Sequence, residues 1–97
     1  MADPTLREFS PLRCVAVERI KQDAKWGEQN HDHLAWLAIL AEEFGEVGEC
    51  VTKACVPPIG NDADQWLDLL EYELVQVAAV CVAWVECIRR TENGGAK

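Results

Sequence analysis

Positive charge is scarce in this sequence: 9 Lys and Arg stand against 17 Asp and Glu in 97 residues, a formal net charge of −8. A protein that holds a phosphate backbone needs surplus Lys and Arg, so nucleic acid is not among the expected partners. Long apolar runs are lacking too. The longest, Leu74 to Val85, is broken by Gln76 and falls short of the ~20 residues a membrane span requires. The opening Met-Ala-Asp-Pro-Thr-Leu-Arg-Glu contains no apolar stretch of the kind a secretory signal carries. Strand-like alternation bounded by turns is missing, as are internal repeats and low-complexity segments. The expectation is a small acidic cytoplasmic protein, one domain over residues 1–97 with an ordered core at about 10–91.

The five cysteines, Cys14, Cys50, Cys55, Cys81 and Cys87, are odd in number and contain no C-x-x-C spacing. A zinc site or redox dithiol has little support in such a pattern. Sitting mostly among Val, Ala and Ile, they are expected to be small buried hydrophobes in a reducing compartment.

Gly and Pro divide what remains into three helical segments. Ser10-Pro11 combines an N-cap with Pro at the first helical position and opens a helix to about Lys25. A loop over residues 26–32 ends at Asp32, a second N-cap, and a helix follows from His33 to Cys55, where Pro57-Pro58-Ile59-Gly60 stops it. Asn61 or Asp62 caps the third helix, Ala63 to Arg90, with Arg89 and Arg90 at the end where cations suit the helix dipole. The expected fold is all-α, a bundle of three long helices. The third, on the order of 40 Å long, is apolar on two faces: Trp66, Leu70, Val77, Val80 and Trp84 on one, Val75, Ala78, Val82 and Val85 on the other. A helix apolar all round is buried all round. Two other helices are too few to cover it, so the core is expected to be completed by oligomerisation through helix 3, as a homodimer or tetramer.

Helix 2 carries Glu42, Glu43, Glu46 and Glu49. At about 100° per residue, Leu37, Leu40, Phe44, Val47 and Val51 form its main apolar stripe. Glu42 and Glu49 point away from that stripe, with Lys53 in pairing position four residues after Glu49. Glu43 and Glu46 instead share a flank with Trp36, Ile39 and Cys50, beside the core, where two carboxylates are costly without a positive partner. Gly45 and Gly48, each about 1 kcal/mol worse than Ala within a helix, align with Ala38, Ala41 and Thr52, a stripe of small residues expected to admit a neighbouring helix closely, with ligand access as the alternative. On helix 3, Glu73 falls in the middle of the Trp66–Trp84 stripe with Gln76 at its edge. Glu73 is open to three readings: an ion pair with Arg13, Arg19, Lys21 or Lys25; a protonated buried carboxyl; or convergence with Gln76, Glu43 and Glu46 on a hard-oxygen site suited to Mg²⁺ or Mn²⁺. A di-iron bundle would need Glu-x-x-His pairs, and neither His31 nor His33 stands three residues after a Glu. Nucleotide-binding glycine loops and the common hydrolase motifs are absent as well.

The block Glu42-Glu43-Phe44-Gly45-Glu46-Val47-Gly48-Glu49 resembles the E-E-x-x-E block of the MazG-like, all-α nucleoside triphosphate pyrophosphohydrolases, a superfamily that includes dimeric dUTPases and dCTP pyrophosphatases. Glu73-Leu74-Val75-Gln76 falls where that family has its second block, E-x-x-D. Glu18-Arg19 through Lys25-Trp26-Gly27-Glu28-Gln29-Asn30-His31 and the run from Glu73 to Glu86 are similar to segments of small bacterial and phage MazG-like proteins, so that the likeness spans roughly residues 15 to 90. The resemblance implies a MazG-like helical bundle and a Mg²⁺-dependent reaction, (d)NTP plus water to (d)NMP plus pyrophosphate, of house-cleaning type. It also implies Glu43, Glu46, Glu73 and Gln76 as metal ligands, and Glu42 or Glu46 as the base acting on water. Arg19 and Lys25 are implied as phosphate contacts, and Trp26, Gln29 and His31 as groups that stack on and read the base. For Trp26 the alternative is a loop-anchoring core residue, and for His31 a capping or solvent-facing one. Gln76 departs from the pattern: a neutral amide stands in the aspartate position, which weakens metal affinity. The alternative function is a non-catalytic helical module that binds nucleotides or a protein partner through a degenerate metal site.

Overall fold

The computed structural model describes residues 8–55 and 63–93. Among them the chain is all-α: α1 spans Pro11–Trp26, α2 His33–Cys55 and α3 Ala63–Asn93. The caps fall where residue chemistry puts them. The Ser10 side chain accepts from the Arg13 amide at 3.2 Å, with Pro11 opening the helix. The Asp32 carboxylate accepts from the Ala35 amide at 2.8 Å, so an anion closes the electropositive start of α2. α1 stops at Gly27, whose φ of 72° is the left-handed conformation that glycine adopts at least cost, and whose amide donates to the Asp23 carbonyl at 2.9 Å. α3 runs three residues past its expected end at Arg90, to Asn93. The Pro57–Gly60 stop and the Asn61 or Asp62 cap lie outside the described residues.

α3 is the central element. α1 and α2 each pack along it and touch one another little. The core between α2 and α3 consists of Trp36, Val80, Ala83 and Cys87, with Ile39, Leu40 and Trp84 against it. The Trp36 and Trp84 rings lie nearly parallel with centroids 6.4 Å apart, and the Trp84 indole nitrogen donates to His33 Nδ1 at 3.1 Å. Arg90, at the far end of α3, fastens the α1–α2 loop by donating to the Gln29 carbonyl at 2.8 Å and the Asn30 side-chain oxygen at 2.9 Å.

The orientation of α2 corrects the sequence expectation. The stripe read as its main apolar face is largely outside: Leu37, Phe44 and Val51 are 54%, 69% and 41% exposed. What faces α3 is the flank, with Trp36 2% and Cys50 9% exposed. The helix is rolled by about a quarter turn from the expected position. The reason is size: an indole buries more apolar area than any single side chain of the other stripe and dictates which face goes in. Leu34, Leu37, Phe44 and Val51 are thereby left as an apolar seam on the outer side of α2. Gly45 and Gly48 share that open side, and a Cβ built on either meets nothing within 4 Å. No helix of this chain uses the close approach they were expected to allow.

The second face of α3 is also uncovered in part, with Leu74, Val82 and Val85 exposed and Val75 and Ala78 half-buried. The cysteine expectation holds for three of five. Cys14, Cys50 and Cys87 are buried, whereas Cys55 and Cys81 are exposed; all are free thiols.

This packing makes Trp36 the anchor of the α2–α3 pair. Trp36→Ala is expected to lose roughly 3–5 kcal/mol of unfolding free energy. Phe44→Ala is expected to lose about 1 kcal/mol or less in dilute solution, as suits an exposed side chain. Urea denaturation of the two variants checks the order.

Candidate metal centre and cleft

The roll that buries Trp36 carries Glu43 and Glu46 inward with it, seven and ten residues further along the same face of α2. α3 presents Glu73 opposite them, and one carboxylate oxygen from each of the three residues lies within 4.8 Å of the others. Glu43 and Glu73 are half-buried and Glu46 is exposed. The arrangement is electrostatically uncomfortable. Burial, followed by a hydrogen bond and repulsion from Glu46 and then repulsion from Glu43, raises the Glu73 carboxyl to about 7. Glu43 is raised too, first by burial and then by Glu46, Glu42 and Glu18. The hydroxyl of Tyr72 and the thiol of Cys50 are pushed up chiefly by burial, with carboxylates of the same group adding to it.

Of the three readings open for Glu73, the ion pair is not found. Arg19 donates instead to Glu86 at 3.1 Å and to Asp23 at 2.9 Å. The cations of Arg13 and Lys25 lie over the rings of Phe9 and Trp26, at 4.7 and 4.8 Å. Among the described residues no ion pair reaches Glu73, and its Oε2 is buried without a hydrogen-bond partner. The donor set suits a hard divalent cation. Oxygens bound octahedrally to one Mg²⁺ at ~2.1 Å stand roughly 3–4.2 Å apart, a contraction that small rotations of three carboxylates supply. Gln76, one turn beyond Glu73, belongs to the same neighbourhood, and its amide nitrogen is buried and unpartnered. Glu42 is exposed and outside the close group. Glu49 is exposed as well, and it pairs with Lys53 at 3.8 Å, as expected.

Glu43 and Gln76 line a cleft of about 760 Å³ between α1 and α2, floored by α3, and Glu18 and Tyr72 line it with them. Its lining also includes Arg19, Lys25, Trp26, Gln29 and Arg90, with Asp23 and Glu28 among the cations. Four of the five residues proposed from sequence as substrate contacts thus line one cleft. The fifth, His31, does not line it; its ring rests edge-on against Trp36, centroids 4.8 Å apart, and its Nε2 faces the Gln29 side-chain oxygen at 3.3 Å. Trp26 is 60% exposed, so it is no core anchor of the loop. Arg19 reaches the cleft with its guanidinium already held by two carboxylates. Sequence reasoning missed Glu18, Tyr72 and Trp36. Glu18 and Tyr72 carry no periodic signal, and Trp36 was set beside the core because the wrong stripe of α2 was taken to face inward. Comparison with protein-family models, with curated proteins and with solved structures gives no match.

The raised Glu73 carboxyl has a consequence for stability whose sign is fixed. The folded protein holds this proton more tightly than the unfolded chain, so the contribution is greatest in acid. It falls as pH rises from the ordinary value of 4.5 through about 7, and it is lost above that. The melting temperature in EDTA is therefore expected to be several degrees lower at pH 8 than at pH 5.5. Millimolar Mg²⁺ should restore it at pH 8. Glu73→Gln should melt higher than the parent at pH 8 in EDTA and gain little from Mg²⁺. Thermal melts at the two pH values check all three.

Proposed function

We propose that this protein is a MazG-like nucleoside triphosphate pyrophosphohydrolase, converting a (d)NTP and water to the (d)NMP and pyrophosphate with Mg²⁺ or Mn²⁺. The observation that carries the reading is the convergence of Glu43, Glu46 and Glu73, of which Glu43 also lines a cleft shared with Arg19, Lys25, Arg90 and an exposed indole. The blocks E-E-x-x-E and E-x-x-Q supply those same three glutamates. Mg²⁺ bound there would neutralise phosphate charge and acidify a bound water. Glu43, Glu46 and Glu73 are its proposed ligands, with the Gln76 carbonyl as a weaker fourth.

The chain's own groups do the rest. Lys25, whose ammonium stands over the Trp26 ring, meets the phosphates, while Arg19, already paired with Glu86 and Asp23, contributes less charge and more shape. Trp26 offers an exposed face for stacking on the base, and Gln29 offers an amide to read it. A carboxylate not bound to the metal would take a proton from the attacking water: Glu42, exposed and outside the close group, or Glu46, the most exposed of the three, where it does not serve as a ligand. The oxygen of that water joins the α-phosphorus as the bond to the bridging oxygen breaks, and pyrophosphate leaves with the bridging oxygen. A role in clearing unwanted (d)NTPs in the cytoplasm fits such chemistry.

A second copy of the chain is proposed to cover the apolar surface left on α3 and, from the roll of α2, the Leu34–Val51 seam as well. Light scattering should then give at least twice the 10.8 kDa chain mass. The second reading, a nucleotide-binding module without catalysis, is favoured by one feature, the Gln76 amide in place of a charged ligand.

Pyrophosphate release from a panel of (d)NTPs with Mg²⁺, Mn²⁺ or EDTA separates the two. The proposal predicts EDTA-sensitive release with the monophosphate as co-product, lowered at least about 100-fold in Glu73→Gln, the scale of losing one electrostatic stabiliser of the reaction. Absence of release with every nucleotide and metal supports the second reading.

A further inference from the structure

One residue of the cleft wall carries a donor that no described group uses. Trp36 forms part of that wall and is the most deeply buried large side chain of the described residues, at 2% exposed, yet its Nε1 has no hydrogen-bond partner. A buried N–H left unpaired costs free energy that phenylalanine at the same position would avoid. The neighbouring Trp84 shows the ordinary solution, since its indole nitrogen donates to His33. Trp36 shares its wall with Ile39, Val80 and Ala83, all apolar. The His31 ring rests edge-on against the same indole, centroids 4.8 Å apart, and a wall of apolar and aromatic groups of this kind suits an aromatic heterocycle.

Its distance from the carboxylates fixes which part of a ligand arrives there. Trp36 precedes Glu43 by two helical turns, about 10.5 Å along α2. That is close to the reach of a nucleotide from its α-phosphate to the far edge of its base. The far edge carries the pyrimidine C4 or purine C6 substituent. In uracil, thymine, guanine and hypoxanthine the substituent is a keto oxygen, and in cytosine and adenine it is an amino group. An indole nitrogen only donates, so it complements the oxygen and opposes the amine.

We propose that Trp36 is a specificity-determining residue whose indole N–H selects nucleotides with a keto oxygen at the far edge of the base; this rests on the pyrophosphohydrolase reading above. The indole nitrogen is closed to water in this conformation. α1 and α2 each pack along α3 with little contact between them, so the cleft can widen to admit a base to that depth.

The test uses the full chain with indole-¹⁵N tryptophan, Mg²⁺, and α,β-imido analogues of dUTP, dGTP, dCTP and dATP. Binding is measured by calorimetry, and the Trp36 indole resonance is assigned by its loss in Trp36→Phe. The inference predicts that the two keto analogues bind about tenfold or more tighter than their amino counterparts, the scale expected when a buried donor is left unmatched. It also predicts that they move the Trp36 indole proton downfield, and that Trp36→Phe levels the preference. Where Trp36→Phe does not fold, the Trp36 resonance is assigned by elimination from Trp26→Phe, Trp66→Phe and Trp84→Phe, and the wild-type preference and proton shift decide. Analogues that bind without a keto preference, or without moving that proton, overturn the inference and leave the proposed function standing. Failure of all four to bind, together with no pyrophosphate release, removes the function and the inference with it.

Discussion

The structure depends on the docking of one face of α2, led by the Trp36 indole, onto α3. That contact selects the roll of α2, and the roll settles the rest. Glu43 and Glu46 lie on the same face as Trp36, so burying the indole draws both toward α3, where Glu73 already stands in an apolar stripe. Three carboxylates gather because a large hydrophobic side chain upstream requires it, and among the described residues no cation pairs with them. The charge left unbalanced is visible in the raised Glu73 carboxyl, whose leading cause is burial and whose second is Glu46. Three carboxylate oxygens gathered in this way are the donor type that a hard divalent cation takes.

The cleft extends that logic. Its lining is mixed in charge, with the carboxylates of Glu18 and Glu43 and the cations of Arg19, Lys25 and Arg90. Two of those cations also have structural duties, Arg19 toward Glu86 and Arg90 toward the α1–α2 loop. The loop is therefore positioned by the end of α3, and Trp26 and Gln29 are positioned with it.

Much of this was readable from residues alone. Ser10-Pro11, Asp32 and Gly27 fix helix ends by local chemistry, and local chemistry is what a sequence displays best. The placement of Glu73 in an apolar stripe identified the anomalous carboxylate, because a charge amid Leu and Val is anomalous whatever the fold. The roll of α2 was not readable. Its two apolar stripes, Leu37–Phe44–Val51 and Trp36–Ile39–Cys50, compete, and only the partner helix decides between them. The same ambiguity hid Trp36 as part of the cleft and made Gly45 and Gly48 look like a packing device within the chain. Glu18 and Tyr72 join the site through tertiary geometry without any pattern of their own.

The central claim is that Glu43, Glu46 and Glu73 share an uncompensated charge that a divalent cation relieves. Carboxyl-carbon NMR of the glutamates, titrated from pH 4 to pH 9, reads it directly. The account predicts that the Glu73 resonance titrates with a midpoint near 7 in EDTA, and that saturating Mg²⁺ moves the midpoint below the ordinary glutamate range. A Glu73 midpoint near 4.5 that Mg²⁺ leaves in place would contradict it.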